Sequence, residues 1–204
     1  MKNIFLLSLL CVAVVGAQTK KPSKKVAKGT LAKSAQAAVE WRENGKQTQI
    51  YYLAAKDTVM LKTHDGKLPE VLPGCSIKPF TAQGTPLCLV SWQEKTVQGD
   101  AKSKLENITT TYYRVIDPAQ KAILHENAYA VANITEIVWL DPNKTASKTV
   151  EKVRREGFEL SLTPQGDLLL ANKTQQDKMG YDAATKKYVA VSAPLAKQPV
   201  KKKK

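Results

Sequence analysis

Most of the chain between residues 34 and 196 consists of short runs in which apolar and polar residues alternate. A period of two is typical of β-strands that bury one face. Residues that favour turns, chiefly Gly, Pro, Asn and Asp, separate these runs. The pattern therefore predicts short strands joined by turns, with antiparallel pairing between neighbours.

A first hairpin is predicted at Asn44-Gly45, the strongest two-residue hairpin signal. The dipeptide lies between the strand-like runs 39–42 and 48–53. The competing interpretation is a helix over 31–43, which the alanines in that stretch favour. Both interpretations end the element at the same Asn-Gly pair.

A second hairpin is predicted near the end of the domain. Apolar and polar residues alternate through 158–162, and a short apolar run returns at 168–171. Thr163-Pro164-Gln165-Gly166-Asp167 between them is rich in residues that favour turns. This segment is the clearest hairpin pattern in the chain.

One run is apolar on both of its faces. Its period of two places Cys88, Val90 and Trp92 on one face and Leu87 and Leu89 on the other. A strand that is exposed to solvent on one side alternates with polar residues instead. We therefore expect this strand to lie centrally in the fold, with both faces covered.

A short helix is predicted at about 143–156. Asp141 can cap its start, Pro142 suits its first turn and Gly157 suits its end. Because this one helix does not alternate with strands, a doubly wound parallel sheet is not expected. The fold class is predicted as mainly β, an antiparallel sandwich or barrel of roughly 8–10 short strands with this single helix.

Residues 1–17 have the layout of a cleavable export signal. Lys2 supplies a positive start, residues 4–15 form an apolar run, and Val15-Gly16-Ala17 places small residues before Gln18. The run is too short to span a bilayer, which needs about 20 residues. We expect cleavage after Ala17 and a soluble periplasmic or extracellular product. Lipidation at Cys11 is a weaker alternative, because Cys11 lies inside the apolar run.

The net charge of +14 is concentrated at the two ends of the chain. Residues 18–33 and 197–204 are rich in lysine and contain no acidic residue, whereas 34–196 holds 20 Lys/Arg and 18 Asp/Glu. The composition of both end segments is typical of disordered tails. The predicted organisation is therefore one β-rich domain, 34–196, between two disordered tails.

The tails are candidates for contact with an anionic surface, either lipid or polysaccharide. Neither tail carries arginine or aromatic residues, which argues against dedicated nucleic-acid binding without excluding it. The alternative interpretation is a solvated spacer. The candidate contact residues are Lys20, Lys21, Lys24, Lys25, Lys201, Lys202, Lys203 and Lys204.

Two cysteines, Cys75 and Cys88, remain after removal of the signal. An even count in an exported protein predicts a disulfide between them. Two buried free thiols are the alternative.

No catalytic, cofactor or metal motif stands out, so none of these sites is assigned. His64 is expected in a turn and His125 in a strand, and no set of ligands has zinc-site spacing. The aromatic residues could form a binding row on a sheet, although ordinary packing of half-buried strands is the favoured interpretation. Four Asn-x-Thr motifs fit glycosylation in a eukaryotic secretory pathway only; they start at Asn107, Asn133, Asn143 and Asn172.

These observations predict an exported, non-enzymatic binding or accessory module of the cell envelope. One alternative is a polyanion or nucleic-acid binder that acts through its tails. Another is a hydrolase whose site is assembled only in three dimensions. Ligand and oligomeric state do not follow from the sequence.

Export predicts a definite N-terminus for the mature protein. We expect intact-mass measurement of the secreted form to show a chain that starts at Gln18, with or without cyclisation of that residue. A mass that still includes residues 1–17 would contradict cleavage after Ala17.

Overall fold

The computed structural model describes residues 27–55 and 57–191. Within these ranges the chain forms thirteen strands and no helix. The prediction of a mainly β, antiparallel fold is confirmed. In the described part of the chain there is no helix of the length and hydrophobicity needed to cross a membrane.

The strands, in chain order, are β1 (Lys28–Lys33), β2 (Ala37–Asn44), β3 (Gln47–Ala54), β4 (Asp57–Asp65), β5 (Glu70–Ala82), β6 (Thr85–Asp100), β7 (Lys104–Asp117), β8 (Ala122–Trp139), β9 (Ser147–Gly157), β10 (Glu159–Leu162), β11 (Leu168–Ala171), β12 (Gln176–Asp182) and β13 (Lys187–Ala190). They form three antiparallel sheets in which strands that neighbour in sequence also neighbour in space. We call β1–β4 the front sheet, β5–β9 the central sheet and β10–β13 the back sheet.

The central sheet is covered on both faces. Its Cys88, Val90 and Trp92 pack with buried residues of the front sheet in one hydrophobic core. Its Leu87 and Leu89 pack with buried residues of the back sheet in a second core. The prediction that this strand is central and covered on both sides is confirmed.

The predicted hairpin at Asn44-Gly45 is confirmed, and the competing helix over 31–43 is not formed. Asn44 pairs with Gln47, and Gly45 takes the positive φ of 66° that the tight turn requires. The predicted turn at 163–167 is also present between β10 and β11.

The described part of the predicted N-terminal tail is a strand. β1 covers Lys28–Lys33 and pairs with β2, and Leu31 packs against the front core. Gly29 lies opposite Trp41, and a Cβ at Gly29 would come within 2.5 Å of the Trp41 indole nitrogen. The folded domain therefore begins before residue 34. The Trp41 ring can lie close over β1 because Gly29 has no Cβ.

The predicted helix at about 143–156 is wrong, because this stretch contains strand β9. The Asp141 carboxylate accepts hydrogen bonds from the Thr145 and Ala146 backbone N–H groups, so the expected cap closes a turn instead. The following residues then pair with β8 along its whole second half. Pairing with a neighbouring strand overrides the helix-forming tendency of the Lys, Arg and Glu residues.

β8 is one continuous strand of 18 residues. It pairs with β9 without a register shift from Tyr129 to Trp139, and with β7 as far as Glu136. Long strands of this kind carry the central sheet beyond the two covering sheets. We call this uncovered part, residues 96–108 and 131–155, the arm.

On the front face of the arm, charged side chains cover apolar ones. Ile134 lies between Glu106 and Lys152 in the ladder and is only 6% exposed. The Glu106 carboxylate lies 2.7 Å from Lys104 Nζ and 3.0 Å from an Arg154 nitrogen. The aliphatic stems of such residues can shield a sheet that has no second layer.

The predicted disulfide is not present in the structure, where Cys75 and Cys88 are free thiols. Cys88 lies opposite Pro79 in the β5–β6 ladder, and Cys75 precedes Pro79 by four residues. Four residues of strand span about 13 Å, whereas a disulfide needs Cα atoms within about 7 Å. The alternative of two covered thiols matches this arrangement.

We expect Cys75 and Cys88 to remain unlinked in the native protein. Burial raises the pKa of Cys75 to about 11 and also raises the pKa of Cys88, so both thiols should react slowly with iodoacetamide until the chain is unfolded. Peptide mapping after unfolding without reductant should show both residues alkylated. A peptide that joins Cys75 to Cys88 would contradict this arrangement.

Candidate functional site

The lysines predicted to contact an anionic surface lie outside the described residues, as does the export signal. The structure instead presents a cleft that the sequence did not indicate. It lies where the back sheet ends and the arm continues beyond it. The cleft has a volume of about 620 Å³ and is lined by Tyr129, Val153, Arg155, Gly157, Glu159, Ala171, Asn172, Lys173 and Thr174.

The floor of the cleft is formed by β8 and β9. Tyr129 lies directly opposite Gly157. Gly157 has a φ of 80°, and a Cβ at this position would lie 2.3 Å from the Ala128 carbonyl oxygen. Since only glycine fits there, no side chain stands beside Tyr129 on its β9 side, and the floor is open on that side.

The wall of the cleft is the β11–β12 turn. The Asn172 side-chain oxygen accepts hydrogen bonds from the backbone N–H groups of Thr174 and Gln175. This local arrangement holds the turn that presents Lys173. The shape of the wall therefore follows from hydrogen bonds within the turn itself.

Two cations in the cleft have no partner in the described residues. Neither Arg155 nor Lys173 forms an ion pair or a side-chain hydrogen bond there. The acidic group Glu159 lines the same cleft. The pKa of Tyr113, which lies beneath the back sheet, is raised mainly by burial and secondly by the negative charge of Glu159.

The opposite face of the arm is neutralised internally. Hydrogen bonding from Lys104 is the main cause that holds the pKa of Glu106 below its ordinary value, and Lys152 does the same for Glu136. Arg154 bridges Glu106 and Glu156. The carboxylates on the front face of the arm are therefore all paired, whereas at the cleft on the back face Arg155 and Lys173 have no partner among the described residues.

A second cluster of ionisable groups lies between the front and central sheets. The buried Glu94 carboxylate accepts hydrogen bonds from Trp92 Nε1 at 2.8 Å, His64 Nε2 at 3.0 Å and Lys62 Nζ at 2.7 Å. Lys62 Nζ also lies 3.4 Å from the centre of the Tyr112 ring. These contacts satisfy the carboxylate and join β4 to the central sheet.

A β-bulge in β4 brings Lys62 and His64 into this cluster. Before the bulge Tyr51 pairs with Met60, and after it Ile50 pairs with Lys62. The extra residue reverses which side chains face inward, so that Lys62 and His64 lie on the inner face beside buried Ile50. No residue type in the sequence marks the bulge, and His64 was expected in a turn for that reason.

Arg114 ties three strands together beside the Glu94 cluster. Its guanidinium donates to the backbone carbonyls of Leu61 and Tyr113, and one nitrogen lies 3.1 Å from Glu126. Arg114 is only 7% exposed, so these partners offset the loss of its water contacts. The cluster is thus internally paired, which is typical of a structural contact between sheets.

The aromatic residues mostly serve packing. Trp92 is buried and stacks on Tyr112 with ring centres 5.2 Å apart. Tyr112 and Tyr113 are both half-buried because the central sheet is covered on both sides. Trp139 is the exception among the tryptophans, with 46% exposure at the end of β8.

The glycosylation motifs fall on the arm and on two turns. Asn107 and Asn133 lie directly opposite each other on β7 and β8. Asn143 is exposed in the turn before β9, and Asn172 lies in the cleft wall. A glycan on Asn107 or Asn133 would cover the back face of the arm.

The described residues hold no group of three or more His, Cys, Asp or Glu side chains suited to a metal ion. Comparison with protein-family models, with curated proteins and with solved structures finds no match. The chemistry of the site therefore rests on the geometry of the cleft.

Acidification is expected to destabilise the fold through its two histidines. Burial lowers the pKa of His64, which faces Glu94 and Lys62, and of His125, which lies beside Tyr188 on the back face of the central sheet; the charge of Arg114 also lowers the pKa of His125, and that of Glu126 raises it. Below the ordinary value of 6.5 the unfolded chain binds more protons than the folded one, so the free energy of unfolding should fall from pH 7 to pH 5. Urea unfolding at several pH values measures this.

The two histidines are the only ones in the chain, so substitution gives a direct control. His64→Gln keeps an N–H donor for Glu94, and the double variant with His125→Gln should show a nearly flat stability between pH 7 and pH 5. The carboxylates with lowered pKa, such as Glu106, act at more acidic pH. An equal slope in the wild type and the double variant would contradict the assignment.

Proposed function

We propose that this chain is an exported, non-enzymatic binding module of the cell envelope, and that the cleft at the back face of the arm binds an anionic group of its ligand. The observation that supports this most strongly is a pair of cations, Arg155 and Lys173, that have no partner among the described residues. They line the same cleft as the partly exposed ring of Tyr129. A volume of about 620 Å³ suits a ligand fragment of moderate size.

The contrast between the two faces of the arm supports the same proposal. Several charges on the front face are paired, as Glu136 is with Lys152 and Arg154 is with Glu156. Arg155 is the neighbour of Arg154 in sequence, yet it has no partner in the described residues. An arginine that is held in a cleft with its donors open is suited to a carboxylate or a phosphate.

The lysine-rich end segments are proposed to assist by attraction to the same anionic surface. Such attraction is long-ranged and weakens with salt. It raises the local concentration of the module near its ligand without defining the contact. The cleft would then supply the part of binding that depends on geometry.

The test is binding to immobilised polygalacturonate, a polymer of carboxylated sugars, by biolayer interferometry. We expect Arg155→Gln with Lys173→Gln to weaken binding by at least about tenfold, since hydrogen bonds to charged groups are lost. The matched control removes the same charge elsewhere, with Lys148→Gln on the front face of β9 and Lys187→Gln on β13.

A third variant lacks residues 18–26 and 197–204, which leaves β1 intact. It should lose the strongly salt-dependent part of binding and keep the part that requires Arg155 and Lys173. Equal losses in the cleft variant and the charge-matched control would contradict a role for the cleft. Complete loss in the trimmed variant would favour a polyanion binder that acts through its tails.

A further inference from the structure

We propose that the back face of the arm is a binding track for an extended acidic polysaccharide, which enters at the cleft and runs along β8 to Trp139. This inference rests on the proposed function and names its ligand class. It adds a second, distant contact to the one at Arg155.

The geometry of β8 defines the track. The ladder between β8 and β9 has no register shift from Tyr129 to Trp139, so alternate residues stay on one face. These residues are Tyr129, Val131, Asn133, Thr135, Ile137 and Trp139. Ten residues of strand span about 34 Å, so the two aromatic side chains mark the ends of a long, narrow surface.

The surface between the two aromatic residues is mixed. Val131 and Ile137 lie on it with Asn133 and Thr135, and Glu151 lies opposite Thr135. Asn133 lies opposite Asn107, and Thr135 lies on the same face one pair further along. The side chains of Asn107, Asn133 and Thr135 form no hydrogen bond within the described part of the chain. Their amide and hydroxyl groups are therefore open to donors and acceptors of a ligand.

The exposed apolar groups on this face also favour a sugar chain. Val97 and Val153 lie at the two ends of the row that contains Asn107 and Asn133, and both are more than half exposed. A sugar ring has apolar C–H faces and polar hydroxyl edges, which matches a surface of mixed valine, asparagine and threonine. Tyrosine and tryptophan rings offer flat apolar faces with a polar edge for the same kind of contact.

Charge complementarity selects an acidic sugar chain over a neutral one. Arg155 and Lys173 stand at the cleft end of the track without partners in the described residues. A carboxylate on the sugar chain would pair with Arg155. The front face is not equivalent, because its carboxylates already pair with Lys104, Lys152 and Arg154.

An acidic peptide fits this face less well. A peptide that lies on the face, instead of along a strand edge, would find side-chain groups only and would leave much of its own backbone unpaired. A peptide could add as a strand only at the open edge of β9. Charged side chains disfavour strand addition at such edges, and β9 carries Lys148, Lys152, Arg154 and Arg155. The hydroxyl groups of a polysaccharide need no such ladder.

The experiment compares oligogalacturonides of two lengths, a dimer and a dodecamer, by isothermal titration calorimetry. The full chain is produced in a bacterial host so that the Asn-x-Thr motifs stay unmodified. We expect Trp139→Ala to weaken dodecamer binding by about three- to tenfold and to leave dimer binding unchanged, because only the long chain reaches Trp139. Leu140→Ala, which removes an exposed side chain just beyond β8, is the matched control.

The same titrations separate the track from the cleft. If Arg155→Gln weakens binding of both oligomers and Trp139→Ala weakens binding of neither, the proposal for the cleft is supported and the proposal for the track is overturned. If Trp139→Ala weakens the dodecamer and Arg155→Gln has no effect, the track stands and the proposed cleft fails. If the wild type binds neither length, or binds polyglutamate with the same dependence on Trp139, the polysaccharide track is overturned.

Discussion

The fold depends on covering both faces of one strand. β6 is apolar on its two sides from Leu87 to Trp92, and a strand of this kind is stable only between two other layers. The front sheet supplies one layer and the back sheet the other, each with its own core. Three meandering sheets in sequence order are a simple way to fold a chain around such a strand, because each neighbour pairs through a short turn.

The same constraint explains where the candidate site lies. Beyond Trp92 the face of β6 that contacts the front sheet continues with Glu94 and then with exposed Thr96. From that point β6 no longer requires a covering layer. The central sheet nevertheless continues as the arm, and the edge of the back sheet leaves a cleft above it. One half of the central sheet is thus packed between two layers, and the other half carries the proposed binding surface.

The parts of the fold that could be predicted are those that local residues determine. Asn44-Gly45 fixed a hairpin because its backbone geometry requires such residues, and the two-sided pattern around Val90 fixed a central strand. The cleft could not be predicted, because it forms where the β11–β12 turn comes beside β8 and β9, which are not its neighbours in sequence. Its key glycine, Gly157, was instead taken as the end of a helix.

Three other features escaped prediction for related physical reasons. β9 became a strand because β8 offered it a pairing partner, although Asp141 does form a local cap. The bulge that turns His64 towards Glu94 depends on the register with β3, which leaves no mark in the sequence. The disulfide was inferred from the number of cysteines, whereas the ladder places Cys75 and Cys88 at different heights.

We propose that the uncovered back face of the arm binds the ligand and that the covered half supports it. Chemical-shift mapping by solution NMR, during titration with the galacturonate dodecamer, tests this proposal. We expect shifts at Tyr129, Arg155, Lys173 and the indole of Trp139, while the indole of buried Trp92 stays unchanged. Shifts centred on the front face, at Glu106 and Arg154, or on the front sheet would contradict it.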